Sequence, residues 1–259
     1  MDLTHAVLLA AASGLAGALN SVAGGGTFIT FPALLLAGVP AVAANATSTL
    51  ALWPGTLASA YAYRRDITAP AKLVRVLAIT SVLGGGIGAW LLLHTSNEAF
   101  EKLIPFLLLF ASIVFTSSTW INARLKGWNP SATHKGAVAL GAALQFGIAV
   151  YGGYFGAGIG ILMIAAWSAL GFGNIHGVNG LRSILGSTVN GVALILFMLH
   201  NSIEWGPAAI MAVTAIVTGY FGAAYARRLP PLLVRRCVLA TAWGITGYFF
   251  YKFYGSGIL

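Results

Sequence analysis

The sequence predicts an all-α polytopic membrane protein with an inverted-topology internal repeat. Each half is expected to be a Gly-broken re-entrant helical hairpin plus three transmembrane helices. Three observations carry this expectation. Of the 259 residues, 58% are hydrophobic and only 7% charged, against about 25% charged in a soluble domain. Apolar segments recur in the two halves at one constant offset of 134 residues. The basic residues gather in loops that one topology places on a single side of the bilayer. Such a composition excludes an ordinary soluble enzyme, a disordered chain and a nucleic-acid binder; the net charge of +9 comes from few, segregated residues. The single cysteine, Cys237, excludes a disulfide framework and a Cys-based metal site.

Charge and helix-breaking residues mark the elements. An apolar stretch over residues 5–20 opens the chain. Only Met1 and acidic Asp2 precede it, without the Lys or Arg of a signal peptide, so it is expected to stay in the mature protein. It breaks at Gly24, Gly25 and Gly26, and a short piece, 27–37, ends at Gly38, Val39 and Pro40. Longer helices follow near 43–63, 71–93 and 100–121, then a polar connection over 122–135. The pattern restarts with 136–154, a Gly-rich break over 152–160, a short piece over 161–170 and a link over 171–176. Helices near 177–199, 207–226 and 232–253 complete the chain. The predicted units are therefore a first repeat over 1–122, a cytoplasmic linker over 123–135 and an inverted second repeat over 136–259.

The halves superpose without gaps. Ala23, Gly24 and Gly26 fall on Ala157, Gly158 and Gly160, and Asn45 falls on Asn179; Gly85, Gly88 and Ala89 fall on Gly219, Gly222 and Ala223. Generic Gly/Ala membrane composition is the competing explanation, and the matched segment lengths favour duplication. The pieces 27–38 and 159–170 rise only ~18 Å, short of a ~30 Å hydrocarbon core. They are expected to fold back as re-entrant half-helices, which membranes tolerate where broken backbone is buried in protein or lines a wet cavity.

If each hairpin adds an even number of crossings, each half crosses three more times and the second half is inverted. Arg64, Arg65, Lys72, Arg75, Arg124, Lys126, Lys135, Arg227, Arg228, Arg235 and Arg236 then share one side, opposed there only by Asp66. Lys102 and Lys252 face Asp2, Glu98, Glu101 and Glu204 on the other. If each broken segment crossed once, the Arg227–Arg236 cluster would be separated from the rest. The positive-inside rule selects the first topology, with basic loops in the cytoplasm of a multi-pass cell-membrane protein and both termini outside. An odd-crossing repeat of this kind is an architecture of secondary transporters.

Away from loops and helix ends, no Asp or Glu remains inside the segments, and the one remaining cation is Arg182. A charge at membrane depth costs about 2.5–3.5 kcal/mol on the lenient insertion scale, so Arg182 either serves a site or snorkels to the headgroups. Asn179, Arg182, Ser183, Gly186, Ser187 and Asn190 recur at helical spacings as one polar or small stripe. Asn45, Ser48, Thr49, Thr56 and Ser59 trace a similar face in the first half, with Ser48 in the slot of Arg182. Helix packing by small and hydroxyl residues is the structural alternative for these stripes. The glycines before each half-helix allow sharp turns and close approach, and a helix N-terminus offers unpaired N–H groups and partial positive charge. The combination suits a small anion, because a cation site at this depth normally places a carboxylate there.

The residues also resemble a known family. Gly17-Ala18-Leu19-Asn20-Ser21-Val22-Ala23-Gly24-Gly25-Gly26 with Pro32, Leu34, Gly38 and Thr47, and Tyr151 through Gly160 with 176–183, resemble the sulfite exporter TauE/SafE family, also called the 4-toluene sulfonate uptake permease family. The resemblance covers most of the chain and implies a transporter of sulfite, sulfonates or related organosulfur anions. Family members with a similar second half often carry Lys where Arg182 stands here, and a guanidinium fork preserves the cation while matching oxyanions bidentately.

The expected function is export of a small sulfur-containing anion by alternating access, with an anion channel or an uptake permease on the same site as alternatives. An enzyme is not expected: the chain has no His-Glu-x-x-His and no pair of membrane aspartates, and Ser187 has no evident base. The substrate-binding candidates are Asn20, Gly24, Gly25, Gly26, Asn45, Ser48, Thr49, Gly158, Gly160, Asn179, Arg182 and Ser183. No catalytic residue, metal or cofactor is expected, nor nucleic acid; the expected partners are the anion, the lipid bilayer and a second copy in a homodimer. His5, His94, His134 and His200 lie near predicted ends, whereas His176 precedes the Arg182 stripe and has a side chain that titrates near neutral pH. Trp and Tyr near segment ends fit aromatic belts.

Overall fold

The protein is described by a computed structural model covering residues 2–22, 25–67, 69–125, 135–170, 175–226 and 231–255. The expectations for Gly24, Lys126, His134, Arg227 and Arg228 fall outside the described residues, as does the side chain of His176. Every regular element among the described residues is an α-helix: α1 (Leu3–Val22), α2 (Thr27–Leu36), α3 (Ala41–Tyr63), α4 (Ala71–Leu93), α5 (Asn97–Leu125), α6 (Lys135–Tyr154), α7 (Ile159–Ala169), α8 (Ile175–Leu199), α9 (Trp205–Ala226) and α10 (Pro231–Tyr254). Among the described residues, four stretches are long and apolar enough to cross a bilayer: Leu3–Asn20, Ala71–Leu93, Asn97–Ser117 and Gly177–Leu199. At 10 and 11 residues, α2 and α7 rise only about 15–17 Å, well short of a ~30 Å core.

Prolines and caps set the boundaries. Pro40 and Pro70 stand just before α3 and α4, and Pro231 is the first residue of α10, where a missing N–H costs nothing. Helix α2 ends in a Schellman turn: Gly38, at φ 81°, donates to the Leu35 carbonyl and Val39 donates to that of Leu34. Helix α5 runs 29 residues, longer than the predicted 100–121. Its start is drawn back to Asn97 because the Ser96 hydroxyl accepts from the Ala99 N–H and the Ser96 carbonyl from Phe100. The break after α6 is also shorter than expected. Gly152 and Gly153 stay helical because they serve packing: a Cβ on Gly152 would lie 2.0 Å from Ile159 Cδ1, and one on Gly153 would lie 2.2 Å from the Gly85 carbonyl oxygen.

Cross-links between loops identify one end of the bundle. The Val42 N–H donates to Asn97 Oδ1 at 2.9 Å, Glu204 N–H donates to Thr47 Oγ1 at 3.0 Å, and Tyr254 donates to the Lys102 carbonyl at 3.1 Å. The turns that follow α2, α4 and α8 therefore gather at this acidic end, while Arg64 and Arg65 follow α3 at the other. The larger core cluster interlocks Phe28, Phe31, Phe100, Phe155 and Phe197, all fully or nearly fully buried. Its rings meet edge to face, with Phe31–Phe155 at 5.3 Å and Phe31–Phe100 at 6.2 Å. A second cluster surrounds Trp167, Leu77, Leu181 and Leu185. Leu83, Trp90, Val213 and Trp205 point outward, as expected where lipid solvates the surface.

The most extensive helix contacts are α4 with α6 and α1 with α9; α3 packs on α8 and α5 on α10. Exchanging each element for its counterpart five places along the chain maps the first two pairs onto each other and the last two onto themselves. Two hydrogen bonds also join residues 134 positions apart: Trp53 Nε1 donates to the Ser187 carbonyl at 3.0 Å, and the Ser112 and Thr246 hydroxyls meet at 3.1 Å. Lipid supplies no hydrophobic drive between helices, so small residues and polar clamps hold the pairs. Gln145 donates to Ser81 at 2.7 Å between α6 and α4, and Ser13 and Thr214 bond between α1 and α9.

Glycine at the α4–α6 contact lets backbones touch, since a Cβ on Gly88 would lie 2.1 Å from the Val150 carbonyl oxygen. Gly88→Ala is expected to destabilise the protein by about 1–3 kcal/mol through overpacking, measured by thermal unfolding in detergent. Gly86→Ala, whose methyl would meet Val192 Cγ1 at an ordinary 3.6 Å, is expected to unfold like the wild type.

Candidate functional site

The two interrupted regions come together beside the α3–α8 crossing. Between Tyr154 and Ile159 the chain needs the left-handed conformation twice, at Gly156 (φ 78°) and Gly158 (φ 76°). Its carbonyls are tied internally. Tyr151 Oη donates to the Ala157 carbonyl at 2.7 Å, and Asn45 Nδ2 donates to that of Tyr154 at 3.3 Å. On the first-half side, Gly25 and Gly26 are buried; a Cβ on Gly26 would press on the Ala16 carbonyl oxygen at 3.0 Å and Leu52 Cδ1 at 3.1 Å.

A cavity of about 60 Å³ lies where these breaks face α3 and α8. Asn20 and Thr27 come from the first break, and Gly156, Ile159 and Gly160 from the second; Thr49, Leu52, Thr56 and Ser59 line it from α3, and Arg182, Ser183, Gly186 and Asn190 from α8. None of these is acidic. Of the sequence candidates, Asn20, Thr49, Gly160, Arg182 and Ser183 line the cavity; Gly25, Gly26, Asn45, Ser48, Gly158 and Asn179 do not. Gly158 is a packing position, where a Cβ would lie 3.2 Å from that of Ala111.

Arg182 reaches the first turn of α7, where Gly160 has no side chain: a Cβ there would lie 3.0 Å from Nη1 and 3.3 Å from Cδ. Among the described residues nothing accepts a hydrogen bond from the guanidinium. A cation is thus held against the positive end of a helix dipole, an arrangement that an anion between them relieves. The Ser183 hydroxyl is 2% exposed and has no partner. The hydroxyls of Thr49, Thr56 and Ser59 each donate to the carbonyl four residues earlier. Among the described residues, donors free without rearrangement are therefore Arg182, the Ser183 and Thr27 hydroxyls and the amides of Asn20 and Asn190.

At the position 134 residues before Arg182 the hydroxyl is spent. Ser48, in the slot of Arg182, bonds Thr30 at 2.6 Å, and Thr30 donates back to the Gly26 carbonyl at 3.2 Å. The polar stripes signalled Thr56, Ser59, Gly186 and Asn190. Gly156 belongs to the second glycine run; Thr27 and Ile159 enter beside the breaks, and Leu52 enters as the apolar interruption of the α3 stripe.

Comparison with known proteins places this geometry in context. The family described as "Sulfite exporter TauE/SafE" matches residues 9–249. The chain is 26% identical over 238 residues to a "Probable membrane transporter protein" of Haemophilus influenzae, covering 92% of this chain and 91% of that protein. It is 24% identical over 246 residues to the "Probable membrane transporter protein YfcA" of Escherichia coli K12, covering 95% and 89%. A third relative, "Probable membrane transporter protein ORF9" of a Sinorhizobium species, is 26% identical over 233 residues, covering 85% and 84%. No solved structure matches the chain.

Asn45 is 1% exposed and spends its amide on the α6 terminus. Asn45→Ala is therefore expected to lower thermal stability by about 1–3 kcal/mol, because it leaves the Tyr154 carbonyl unpaired. The loss is expected to be the same with and without sulfite present. Asn179→Ala, which removes no hydrogen bond among the described residues, is expected to cost less in the same melt.

Proposed function

The chain belongs to the sulfite exporter TauE/SafE family of membrane transporters, and from that premise we propose that it exports a small sulfur oxyanion, sulfite or an organosulfonate, by alternating access around the Arg182 cavity. The observation that carries this reading is a guanidinium without a carboxylate, set against the bare first turn of α7 in a cavity of about 60 Å³. Pockets for larger organic ligands run to about 300–1,000 Å³, so the cavity as it stands suits a compact oxyanion. Arg182 supplies a planar donor fork, Ser183 and the Asn20 and Asn190 amides supply further donors, and the start of α7 supplies the positive end of a helix dipole at Gly160. Burying the cation without an anion costs about 2.5–3.5 kcal/mol, which bound oxyanion offsets.

In this reading α1–α5 and α6–α10 are inverted repeats, and α1–α2 and α6–α7 are re-entrant hairpins. Its support is the matched element order, the exchange-symmetric packing and the two hydrogen bonds between residues 134 apart. Residues at equivalent positions that touch each other lie on a two-fold axis. The basic end then faces the cytoplasm of the cell membrane and the acidic end, with both termini, faces outside. An inside-negative potential favours anion export by ~2.3 kcal/mol per charge per 100 mV. The anion enters from the basic side, binds at Arg182, and leaves when one repeat rocks against the other.

Sulfite efflux from proteoliposomes tests this. Saturable flux is expected, with sulfite raising the melting temperature of the purified protein. Arg182→Gln is expected to weaken sulfite binding by about ten- to a hundredfold, the equivalent of a lost charge-assisted hydrogen bond of about 1.5–3 kcal/mol, while the protein still inserts. Unchanged flux in that variant overturns the site, and flux that never saturates replaces the carrier with a channel. Gly160→Ala, which crowds the guanidinium without touching the core, is expected to weaken binding less than Arg182→Gln does.

A further inference from the structure

A second difference between the halves lies away from the cavity. A groove of about 500 Å³ runs between α1, α2 and α10, with almost entirely apolar walls. Leu15, Leu36 and Tyr248 stand exposed along it. At the equivalent crevice of α5, α6 and α7 the chain fills its own space. Phe110 packs on Tyr151 at 5.4 Å, and fully buried Trp167 lies against α6, 3.5 Å from where a Cβ on Gly141 would stand. The residues 134 positions from Phe110 and Trp167 are Gly244 and Ala33, and both line the groove. A Cβ on Gly244 would meet nothing within 4 Å. Helix α10 also contacts α2 less extensively than α5 contacts α7. Two small-for-large exchanges thus open the first half where the second is packed.

Depth and charge indicate what fills the opening. Along α10 the groove extends from Thr241 to Lys252, about 16 Å at the helical rise and so about half of a ~30 Å hydrocarbon core. The far end is marked by an exposed ammonium: Lys252 lies 5.4 Å above the Phe253 ring and pairs with no carboxylate among the described residues. An apolar trough one leaflet deep with a cation at its mouth has the dimensions and polarity of a phospholipid. A second copy of the chain needs a complementary ridge for an isologous contact, and the exposed residues here edge a concavity.

We propose that this groove is a specific site for an anionic phospholipid, with one acyl chain lying between α1, α2 and α10 and the headgroup phosphate at Lys252. The acyl chain supplies in the first half the packing that Phe110 and Trp167 supply in the second, since an unfilled apolar groove forfeits the dispersion contacts of the side chains that line it. The site stands independently of the transported anion, because no groove residue lines the Arg182 cavity.

Native mass spectrometry and thermal unfolding of the detergent-purified protein, with phosphatidylglycerol or phosphatidylethanolamine added back, test it. The wild type is expected to retain phosphatidylglycerol and to melt higher when it is restored. Gly244→Leu and Ala11→Leu, each adding bulk at the groove wall, are expected to lose both the retained lipid and the lipid-dependent shift while keeping wild-type helicity. Lys252→Gln is expected to keep lipid binding but lose about fivefold of the preference for phosphatidylglycerol, the effect of one Lys at an anionic surface. Equal lipid retention and equal shifts in wild type, Gly244→Leu and Ala11→Leu overturn the site. A dimer mass that Gly244→Leu splits, with no retained lipid, assigns the groove to a second copy instead.

Discussion

Hydrocarbon offers no hydrogen bonds, so a helix interrupted within it has to satisfy its freed backbone groups from the protein itself. That constraint organises the molecule at the break after α6. The Ala157 carbonyl takes its proton from Tyr151, and the Tyr154 carbonyl takes one from Asn45 on α3. The Ile159 N–H turns back to the Gly156 carbonyl and those of Ile161 and Leu162 to the Gly158 carbonyl, so the start of α7 meets Arg182 at Gly160 with the positive end of its dipole. The polarity of the site is thus a by-product of which end of the break has been sealed. A positive, carboxylate-free pocket follows from satisfying carbonyls first.

The same constraint explains how the helices are held. Apolar side chains gain nothing by leaving lipid for one another, so contact depends on approach distance and on paired polar groups. Gly88 and Gly153 let α4 and α6 meet at the backbone, and Gln145 with Ser81 adds a bond within that contact. Gly17 performs the same service between α1 and α9, where a Cβ would lie 2.5 Å from the Ala215 carbonyl oxygen. The aromatic cluster of Phe31, Phe100 and Phe155 fills the space toward the acidic end.

Much of the fold can be read from the sequence because breaks, prolines and apolar lengths are local features. The ten helices fall where the apolar runs do, and Arg182 stands out as the lone cation at depth. Roles that depend on three-dimensional placement were not available in the same way. Asn45 and Asn179 are equivalent by offset, yet Asn45 bonds a carbonyl across 109 residues and Asn179 makes no such bond among the described residues. Gly152 and Gly153 have the composition of a turn but serve as contact surface, which only the position of α4 reveals. Ser48 lies on the polar stripe, but its hydroxyl is spent on Thr30. Stripes locate the faces of α3 and α8 that meet; they do not separate residues that line a space from residues that close it.

Under the proposed repeat, the presence of Ser48 at the position 134 residues before Arg182 has an electrical consequence. With a single guanidinium, the empty site carries one positive charge, and a monovalent oxyanion brings it to neutrality. Under the proposed cycle the membrane voltage then acts on the return of the vacant carrier, drawing it toward the negative interior, while the occupied carrier crosses indifferent to the field. A twin Arg at position 48 would abolish that division of labour. Under that reading one unmatched side chain decides which half of the cycle the voltage acts on, while the charge of the anion sets the net direction.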